Sequence, residues 1–293
     1  MPEANLVTIA SDALTARINP LGAELWSLAG ADGREYMTDA DPAFWTGHAP
    51  LLFPVIGELN GKLFRLNGRE YPMPRHGFAR HSLFELVEHG PSLARFALRD
   101  SGSTLAVYPF AFELEMLFRL DGATLAMRAT VENPGSEPLP FSFGFHPAFA
   151  WPLPGGGDKL AHTIAFEQEE PEAIRRLDAA GLLAGSEPTP VRGRTLPLAP
   201  ELFEADAVVW DRIASRSLTY AGPGGATLEI AFPDTPELGL WQKPGAAFLC
   251  IEPWAGHADP VGFTGDLPDK PGIVTLAPGE AHSLRMDVTV RPG

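Results

Sequence analysis

One stretch of the chain, residues 112–120, reads FELEMLFRL and decides the fold class that the sequence predicts. Its first, third, fifth, seventh and ninth side chains are apolar, and the positions between them are mostly charged. Successive side chains of a β-strand point to opposite faces, so the pattern predicts a strand with one buried and one hydrated face. The same alternation recurs at residues 14–18, 125–131 and 284–290. We therefore expect half-buried strands near both ends of the chain and in its middle.

Turn-forming dipeptides lie between the strand-like runs. Four of them are Asp32-Gly33, Asn60-Gly61, Asn67-Gly68 and Asp121-Gly122. Such pairs tolerate the positive φ angles of tight turns, so each predicts a hairpin, most clearly at residues 121–122, between two alternating runs. Helical signals are few. Residues 171–180 predict one short helix that begins near Pro171, and residues 200–204 predict a single helical turn.

The composition favours one large β-structure. The 293 residues include 30 glycines and 30 prolines, which disfavour long helices and favour short strands joined by turns. Apolar residues make up 45% of the chain, enough for a sizeable core. No stretch has the composition of a long flexible linker. The sequence therefore predicts a single all-β domain over residues 1–293, a large antiparallel β-sandwich with few short helices.

The charge balance excludes some classes of partner. Lysine and arginine number 22 and aspartate and glutamate 37, for a net charge of −15. Nucleic acids and anionic lipids both attract basic surfaces, so we expect no nucleic-acid partner and no membrane partner. The start of the chain lacks the features of a signal peptide. The lone cysteine, Cys250, permits no intrachain disulfide, which is typical of a reducing compartment, so the sequence predicts a cytoplasmic protein.

Common cofactor motifs are missing from the sequence. No phosphate-binding loop ending in Lys-Ser/Thr and no Gly-x-Ser-x-Gly pattern occurs, and the glycine-rich residues 155–159 lack a helical continuation. A single cysteine excludes zinc sites built on cysteine pairs. A metal site assembled from scattered side chains has no local support in the sequence. We therefore expect neither a cofactor nor a metal.

His76 lies between two arginines, in the run RHGFAR at residues 75–80. The neighbouring cations, Arg75 and Arg80, should lower the pKa of the imidazole and keep it neutral. The adjacent glycine would let a ligand or another backbone segment approach closely. Two interpretations remain open, a hydrated loop histidine and a residue that contacts a ligand.

His146 lies in an aromatic run, FSFGFHPAF at residues 141–149. If this run is a strand, His146 shares a face with Ser142 and Gly144, and three phenylalanines point the other way. The following proline lacks an N–H donor and should end the pairing. The histidine could line a pocket, or it could be a core residue bonded to a carbonyl.

Glu252 follows the apolar run FLCI at residues 248–251. A buried carboxylate is destabilising unless it is paired or used, and burial would raise its pKa toward that of a general base. Trp254 could stack on the apolar face of a sugar ring. The alternative is a glutamate at a strand end that points to water. His146 and Glu252 together would form a minimal acid/base pair, while Cys250 is expected to be a small core residue.

Four motifs in order resemble those of a known family. They are LFPVIG at residues 52–57, HGFAR at 76–80, GFHP at 144–147 and IEPW at 251–254. The chain resembles the aldose 1-epimerase (galactose mutarotase-like) family, and within it the LacX-like branch. The resemblance implies a β-supersandwich and an isomerase that interconverts the α- and β-anomers of an aldohexose without a cofactor.

The resemblance also implies roles for individual residues. His146 matches the general acid that protonates the ring oxygen, and Glu252 matches the general base that takes the proton from the C1 hydroxyl. His76 matches a histidine that binds the sugar. Asp206 matches a hydroxyl-binding aspartate, with Asp211 as the alternative. His257 and Asp259 follow the Glu252 motif closely and are candidates for the edge of the pocket.

One departure from the family pattern leaves the substrate open. Residues 57–62 read GELNGK where galactose mutarotases carry an arginine-containing Gly-Arg-x-x-Asn-Arg pattern. The arginine contact to the sugar would then come from Arg80 or Arg75, or be missing. One alternative that follows is a hexose-6-phosphate mutarotase, whose phosphate Arg75 and Arg80 could bind. A second alternative is a non-catalytic carbohydrate-binding protein on the same fold, because a fold does not determine function. The expected partner is a monosaccharide, and the expected assembly is a monomer or homodimer.

Overall fold

A computed structural model of the chain describes residues 6–293. The strands are β1 (Val7–Ala10), β2 (Leu14–Asn19), β3 (Glu24–Gly30), β4 (Leu51–Leu52), β5 (Leu63–Leu66), β6 (Arg69–Pro72), β7 (Glu85–Gly90), β8 (Leu93–Arg99), β9 (Glu113–Asp121), β10 (Thr124–Glu132), β11 (Leu139–Phe141), β12 (Phe143–Phe145), β13 (Ala148–Ala150), β14 (Thr163–Phe166), β15 (Ile174–Leu177), β16 (Leu183–Glu187), β17 (Thr195–Pro197), β18 (Val208–Trp210), β19 (Ser217–Ala221), β20 (Thr227–Ala231), β21 (Glu237–Trp241), β22 (Phe248–Ala255), β23 (Val274–Leu276) and β24 (Ala281–Arg291).

Helical structure is limited to short pieces. The α-helix is α1 (Gly102–Val107), and the 3-10 turns are Asn60–Lys62, Ala79–His81, Lys159–Ala161, Pro200–Phe203 and Leu267–Asp269. Among residues 6–293, no helix is long and apolar enough to cross a membrane. The prediction of an all-β chain with few short helices is confirmed.

Two large antiparallel sheets form the sandwich. One has nine strands in the order β17-β14-β19-β20-β24-β10-β9-β8-β7. The other has eight, in the order β16-β15-β18-β21-β22-β12-β4, with β13 also paired to β22. Leu114 and Met116 of β9 belong to the same buried core as Leu249 and Ile251 of β22, so the sheets face each other across it. The prediction of one domain over residues 1–293 stays a prediction, and residues 1–5 lie outside the described residues.

The turn predictions meet different outcomes. Asn67-Gly68 joins β5 to β6 and Asp121-Gly122 joins β9 to β10, so both hairpins are confirmed. Asp32-Gly33 lies in a turn that the Ala29–Glu35 bridge closes. The hairpin prediction at residues 60–61 is wrong, because these residues form a 3-10 turn.

One of the two helix predictions is wrong. Within residues 171–180 the chain forms β15, which pairs with β16 and β18 on either side. Ile174 is buried in the main core, so long-range pairing and burial override the local helical signal. The helical turn expected at residues 200–204 is present at Pro200–Phe203.

Alternation along β22 gives the eight-stranded sheet two buried faces. Leu249 and Ile251 enter the main core, while Cys250 and Trp254 belong to smaller clusters on the opposite face. Glu252 lies between these two and, by the same alternation, shares their face. Every residue of β22 is buried, so this outer face is itself covered by other segments. The covered outer face holds the chemical groups described next.

Candidate active site

A cavity of about 520 Å³ lies over the outer face of the eight-stranded sheet. Its walls contain all five residues that the sequence analysis assigns to the site, namely His76, Arg80, His146, Asp206 and Glu252. The volume is within the range of small-molecule pockets. The structure thus brings together residues that are up to 176 positions apart, the difference between 252 and 76.

His146 lies opposite Glu252 because β12 and β13 pair with β22 in a single register. The paired residues are Gly144 with Trp254 and Ala148 with Cys250. Continuing the register by two residues from either side places His146 across from Glu252. Directly opposite residues of antiparallel strands have Cβ atoms about 5 Å apart and project to the same face. The short ladders on both sides therefore hold the imidazole and the carboxyl group together.

The pair is close and almost completely buried. His146 Nε2 lies 3.2 Å from Glu252 Oε2, and the two side chains are 10% and 2% exposed. Burial raises the pKa of Glu252 well above its ordinary value, against the opposing pull of Arg75. Burial also lowers the pKa of His146 to about 3, and the charges of Arg80 and Arg75 act in the same direction.

These shifts imply that the pair holds one proton around neutral pH. Both protons are present only below the lowered pKa of His146, and both are lost only above the raised pKa of Glu252. Within a coupled pair the single proton belongs to both groups rather than to one. A pair that holds one proton can take a proton from one ligand atom and give a proton to another, which is the requirement for reversible acid/base catalysis.

The loop that carries His76 has an unusual backbone conformation. His76 has a φ of 67°, a left-handed value that non-glycine residues adopt rarely. Its N–H donates to the Gly57 carbonyl at 2.9 Å, and the Gly57 N–H donates to its Nδ1 at 3.0 Å. The pKa of His76 is held well below its ordinary value, first by burial and then by His146, Arg75 and Arg80. The sequence also predicts a lowered pKa for His76, but from the two arginines alone, whereas burial is the larger cause in the structure.

The ring of His76 contacts a donor at each of its two nitrogens. The Gly57 N–H donates to Nδ1 at 3.0 Å, and the Nε–H of Arg75 is directed at Nε2 from 3.3 Å. A neutral imidazole has one lone pair for hydrogen bonding, so only one of these contacts is a full hydrogen bond, and the contact at Nδ1 is the shorter. The guanidinium of Arg75 therefore lies against the ring of His76 in the cavity wall.

Both arginines of the HGFAR region lie in the cavity wall. Arg75 is exposed and Arg80 is partly buried. The Nη2 of Arg80 donates to the Arg75 carbonyl at 2.9 Å, and this bond ties the two residues together. The cavity therefore has guanidinium groups on the side of His76.

The two candidate aspartates lie in different surroundings. Asp206 lines the cavity, with a left-handed φ of 67° and with its Oδ1 accepting from the Ala207 N–H at 2.8 Å. Asp211 instead forms an ion pair with Arg175, at 2.9 Å from its Nη1. This placement favours Asp206 over Asp211 as the ligand-facing carboxylate.

Trp254 forms part of the cavity floor because Gly144, directly opposite on β12, and Gly239, two positions along β21 from its partner Glu237, make room for the indole. A Cβ atom on Gly144 would lie 2.5 Å from Trp254 Cδ1, and one on Gly239 would lie 2.5 Å from the far end of the indole. The ring therefore lies across both glycines, and the cavity is on its other side. A flat indole surface of this kind suits the apolar face of a sugar ring.

Three further cavity residues were missed by the sequence analysis: Trp45, Trp241 and Lys243. The ring of Trp45 lies 5.2 Å from that of His146 and meets Trp241 edge-on at 5.5 Å. Their local sequence holds no recognisable motif, and only the folded chain brings the two tryptophans close to His146 and Lys243 to the cavity wall. A sequence signal exists for Trp241, because it lies two positions after Gly239 and strand alternation would place both on the same face.

The predicted edge residues separate into two roles. His257 lines the cavity, with its Nδ1 2.8 Å from the Ala258 carbonyl. Asp259 instead forms a buried ion pair with Lys270 at 3.0 Å. Among residues 6–293, one group of three potential metal ligands is close together, namely His146, Cys250 and Glu252, with ligand atoms within 4.8 Å of one another.

Comparison with known proteins places the chain among sugar isomerases. A family model described as Aldose 1-epimerase matches residues 5–289. Protein LacX (plasmid) of Lactococcus lactis subsp. lactis is 31% identical over 295 residues, which cover 97% of this chain and 99% of LacX. The crystal structure of a galactose mutarotase-like protein from Lactobacillus casei is 32% identical and has a TM-score of 0.91, covering 98% of this chain and 100% of that one. A galactose mutarotase related enzyme from Lactobacillus acidophilus is 28% identical with a TM-score of 0.91, covering 98% and 97%.

These similarities extend over nearly the whole chain and include the fold. They confirm the resemblance to the LacX-like branch, the galactose mutarotase-like sandwich and the assignment as an isomerase. The chain therefore belongs to the aldose 1-epimerase family.

Proposed function

We propose that the protein is a mutarotase that interconverts the α- and β-anomers of an aldohexose. The observation that carries the proposal is the buried His146–Glu252 pair, 3.2 Å apart in the wall of a cavity of sugar-binding size. Acid and base lie close enough together to act on two neighbouring oxygens of one ligand. The similarity to aldose 1-epimerases supports the same reaction.

In the proposed reaction the pair exchanges its proton with the sugar. The shifted pKa values favour the proton of the pair on Glu252, and it first passes to His146 across the 3.2 Å contact. Glu252 as carboxylate then takes the proton of the C1 hydroxyl while protonated His146 gives its proton to the ring oxygen. The bond between C1 and the ring oxygen breaks, and the open-chain aldehyde forms. After rotation about the C1–C2 bond, the ring closes on the other face of the aldehyde and both protons return. The pair begins and ends each turnover with one proton, so the reaction needs no outside acid or base.

The other cavity residues would orient the sugar. His76 and the guanidinium of Arg75, which contact each other in the cavity wall, would bind hydroxyl groups of the sugar. Asp206 would accept from another hydroxyl, and the indole of Trp254 would contact the apolar face of the ring. These contacts would hold C1 and the ring oxygen at the acid/base pair.

A second candidate substrate is a hexose 6-phosphate. Three cationic side chains, Arg75, Arg80 and Lys243, line the cavity, and arginines bind phosphate well. The net charge of −15 gives no long-range attraction for an anion. A free aldohexose therefore remains the first proposal. Location in the cytoplasm, and a monomer or homodimer, stay predictions from the sequence.

Polarimetry of freshly dissolved α-D-glucose, α-D-galactose and α-D-glucose 6-phosphate tests the proposal. We expect the protein to accelerate the approach to anomeric equilibrium, and His146→Asn to remove most of the acceleration. A larger acceleration for the phosphate ester that Arg80→Ala selectively reduces would support the second candidate. Binding of monosaccharides without acceleration of any of them would contradict both, and would support a non-catalytic carbohydrate-binding protein.

A further inference from the structure

Cys250 lies beside the acid/base pair, although the reaction does not use it. Cys250 and Glu252 are two positions apart on β22, so their side chains project to the same face. Ala148 occupies the position opposite Cys250, and its small side chain leaves the thiol close to the imidazole of His146. The ligand atoms of His146, Cys250 and Glu252 all lie within 4.8 Å of one another, and all three residues are buried.

A thiolate, an imidazole and a carboxylate form a donor set that Zn²⁺ prefers. Zinc binds sulfur at about 2.3 Å and nitrogen or oxygen at about 2.0–2.2 Å in a tetrahedral arrangement. Ligand atoms of such a site lie roughly 3.3–3.8 Å apart, as those bond lengths require. Nε2 of His146 and Oε2 of Glu252 already lie 3.2 Å apart. Small rotations of the side chains would bring the sulfur into the same sphere.

The open side of this group is the cavity. His146 and Glu252 line it, while Cys250 lies behind them in the sheet. A metal ion bound by the three side chains would therefore keep a fourth position toward the cavity, where water or a ligand oxygen can bind.

A second group of buried ionisable residues, Asp259, His257 and Lys270, is less suited to bind a metal ion. Asp259 and His257 lie near Lys270, whose ammonium group is 3.0 Å from the Asp259 carboxylate and also donates to the His257 carbonyl. An internal cation already neutralises that carboxylate and would repel a metal ion. The charges of Arg75 and Arg80 also act on His146 and Glu252, but among residues 6–293 no hydrogen bond or ion pair joins either arginine to His146, Cys250 or Glu252, whereas Lys270 pairs directly with Asp259. The first group is therefore the better metal site.

We propose that His146, Cys250 and Glu252 form a binding site for a thiophilic divalent cation such as Zn²⁺, and that bound metal blocks the acid/base pair. The ion would take the lone pair of His146 and an oxygen of Glu252, the same atoms that carry protons in the proposed reaction. Binding releases the thiol proton and the proton of the pair. A protein with the metal ion bound therefore cannot turn over the sugar.

Titration of the purified protein with Co²⁺ tests the site directly, because a cobalt–thiolate bond gives a near-ultraviolet charge-transfer band. We expect this band in the wild type, its loss on addition of Zn²⁺, and its absence in Cys250→Ala with at least about tenfold weaker metal binding. Cys250 is the only cysteine of the chain, so a thiolate band can only come from it. A wild type without the band overturns the proposal.

X-ray absorption at the zinc edge gives a test that needs no variant. One sulfur scatterer at about 2.3 Å is expected in the zinc-loaded wild type. Coordination by nitrogen and oxygen alone would contradict the site, whether or not Cys250→Ala folds.

Inhibition of mutarotation provides the functional test. Zn²⁺ should inhibit the wild type reversibly, with recovery on chelation, and should inhibit Cys250→Ala at least about tenfold less strongly. Equal inhibition of both proteins would contradict the role of Cys250. The spectroscopic tests do not depend on turnover. An inactive protein that still shows the cobalt–thiolate band would refute the proposed function while leaving the metal site supported.

Discussion

Two buried pairs of acidic and basic side chains lie near the cavity, and they differ in how their charges are satisfied. Lys270 Nζ lies 3.0 Å from Asp259 Oδ1, and these side chains are 1% and 6% exposed. Nζ also donates to the His257 carbonyl at 2.6 Å, and Oδ2 of Asp259 accepts from the Asn60 N–H at 2.9 Å. Each charge of this pair has its opposite charge and a backbone partner.

The His146–Glu252 pair is about as buried, but its surroundings favour neutral groups. Burial shifts the pKa of both partners toward the uncharged form, and the nearby Arg80 and Arg75 further disfavour a charged imidazole. One edge of the pair is open to the cavity. The comparison teaches that burial alone does not mark a functional group. A compensated buried pair keeps its charges and becomes destabilising when one partner is removed, whereas a pair that holds one movable proton at a cavity suits catalysis.

The two pairs are also connected through the cavity wall. Lys270 binds the carbonyl of His257, and the side chain of His257 lines the cavity. The Asp259 carboxylate binds the backbone at Asn60, close to the Gly57 carbonyl that accepts from His76. The compensated pair therefore ties together loops of the cavity wall around the His146–Glu252 pair.

The largest expected effect concerns the acid/base pair. Glu252→Gln keeps the shape of the side chain but removes the base, so we expect kcat/KM for mutarotation to fall by about 10²- to 10⁴-fold. The free energy of unfolding should change by no more than about 1 kcal/mol, since no buried charge is left unpaired. Polarimetry and urea unfolding measure the two quantities, with the exposed Glu172→Gln as the matched control. Unchanged turnover in Glu252→Gln would remove the assignment of the base.

Breaking the Lys270–Asp259 pair should reduce the stability of the fold, in contrast to the loss of activity expected for Glu252→Gln. Lys270→Met leaves the Asp259 carboxylate buried and uncompensated, so the free energy of unfolding should fall by about 3–5 kcal/mol. The double variant Lys270→Met/Asp259→Asn should recover much of this loss, because the amide can still accept from the Asn60 N–H. Urea unfolding of wild type, single and double variants checks the prediction. A single variant as stable as the wild type would show that the pair contributes nothing to stability.

A smaller effect is expected at the cavity floor. Gly239→Ala places a methyl group against the indole of Trp254 and should tilt the ring into the cavity. Because the ring would orient the sugar, we expect kcat/KM to fall about 10- to 100-fold. Gly185→Ala is the matched control, since a Cβ there meets no atom within 4 Å. Steady-state polarimetry measures both, and equal effects of the two substitutions would argue against a role for the Trp254 surface.

The smallest effect concerns a third buried carboxyl group, Glu237, beside the Gly256–His257 turn. Burial raises its pKa from 4.5 to about 8. Between these values the folded chain keeps a proton that the unfolded chain releases, so this group lowers the free energy of unfolding as pH rises. Its contribution is at most about 1.4 kcal/mol per pH unit. Glu237→Gln should therefore flatten the pH dependence of stability between pH 5 and pH 8, by about that slope at most.

Urea unfolding at a series of pH values measures the slope for wild type and Glu237→Gln. Glu252 has a pKa shifted in the same direction, so only the difference between the two proteins reports on Glu237. Identical slopes would mean that Glu237 is ionised in the folded protein at neutral pH.

Much of the sandwich could be predicted because local patterns and burial agree there. The alternation at residues 112–120 and 125–131 became the paired strands β9 and β10, joined at Asp121-Gly122. The helix prediction at residues 171–180 is wrong because this segment pairs with β16 and β18, and the sequence alone does not reveal these pairings. Local propensity cannot reveal such pairing.

The candidate site was predictable only in part, because its geometry also depends on long-range strand pairing. The face that His146 shares with Gly144 follows from strand alternation, and the structure agrees. That His146 lies opposite Glu252 depends on the register between β22 and its neighbours, which the sequence does not reveal. Trp45 and Lys243 reach the cavity from loops, where no periodic pattern marks them.

A crystal structure with a bound aldohexose tests the central claim most directly. We predict that the C1 hydroxyl lies within about 2.6–3.2 Å of the Glu252 carboxyl group and the ring oxygen within the same distance of His146 Nε2. A sugar bound in this cavity with C1 turned away from the pair, toward Lys243 and the solvent, would contradict the account.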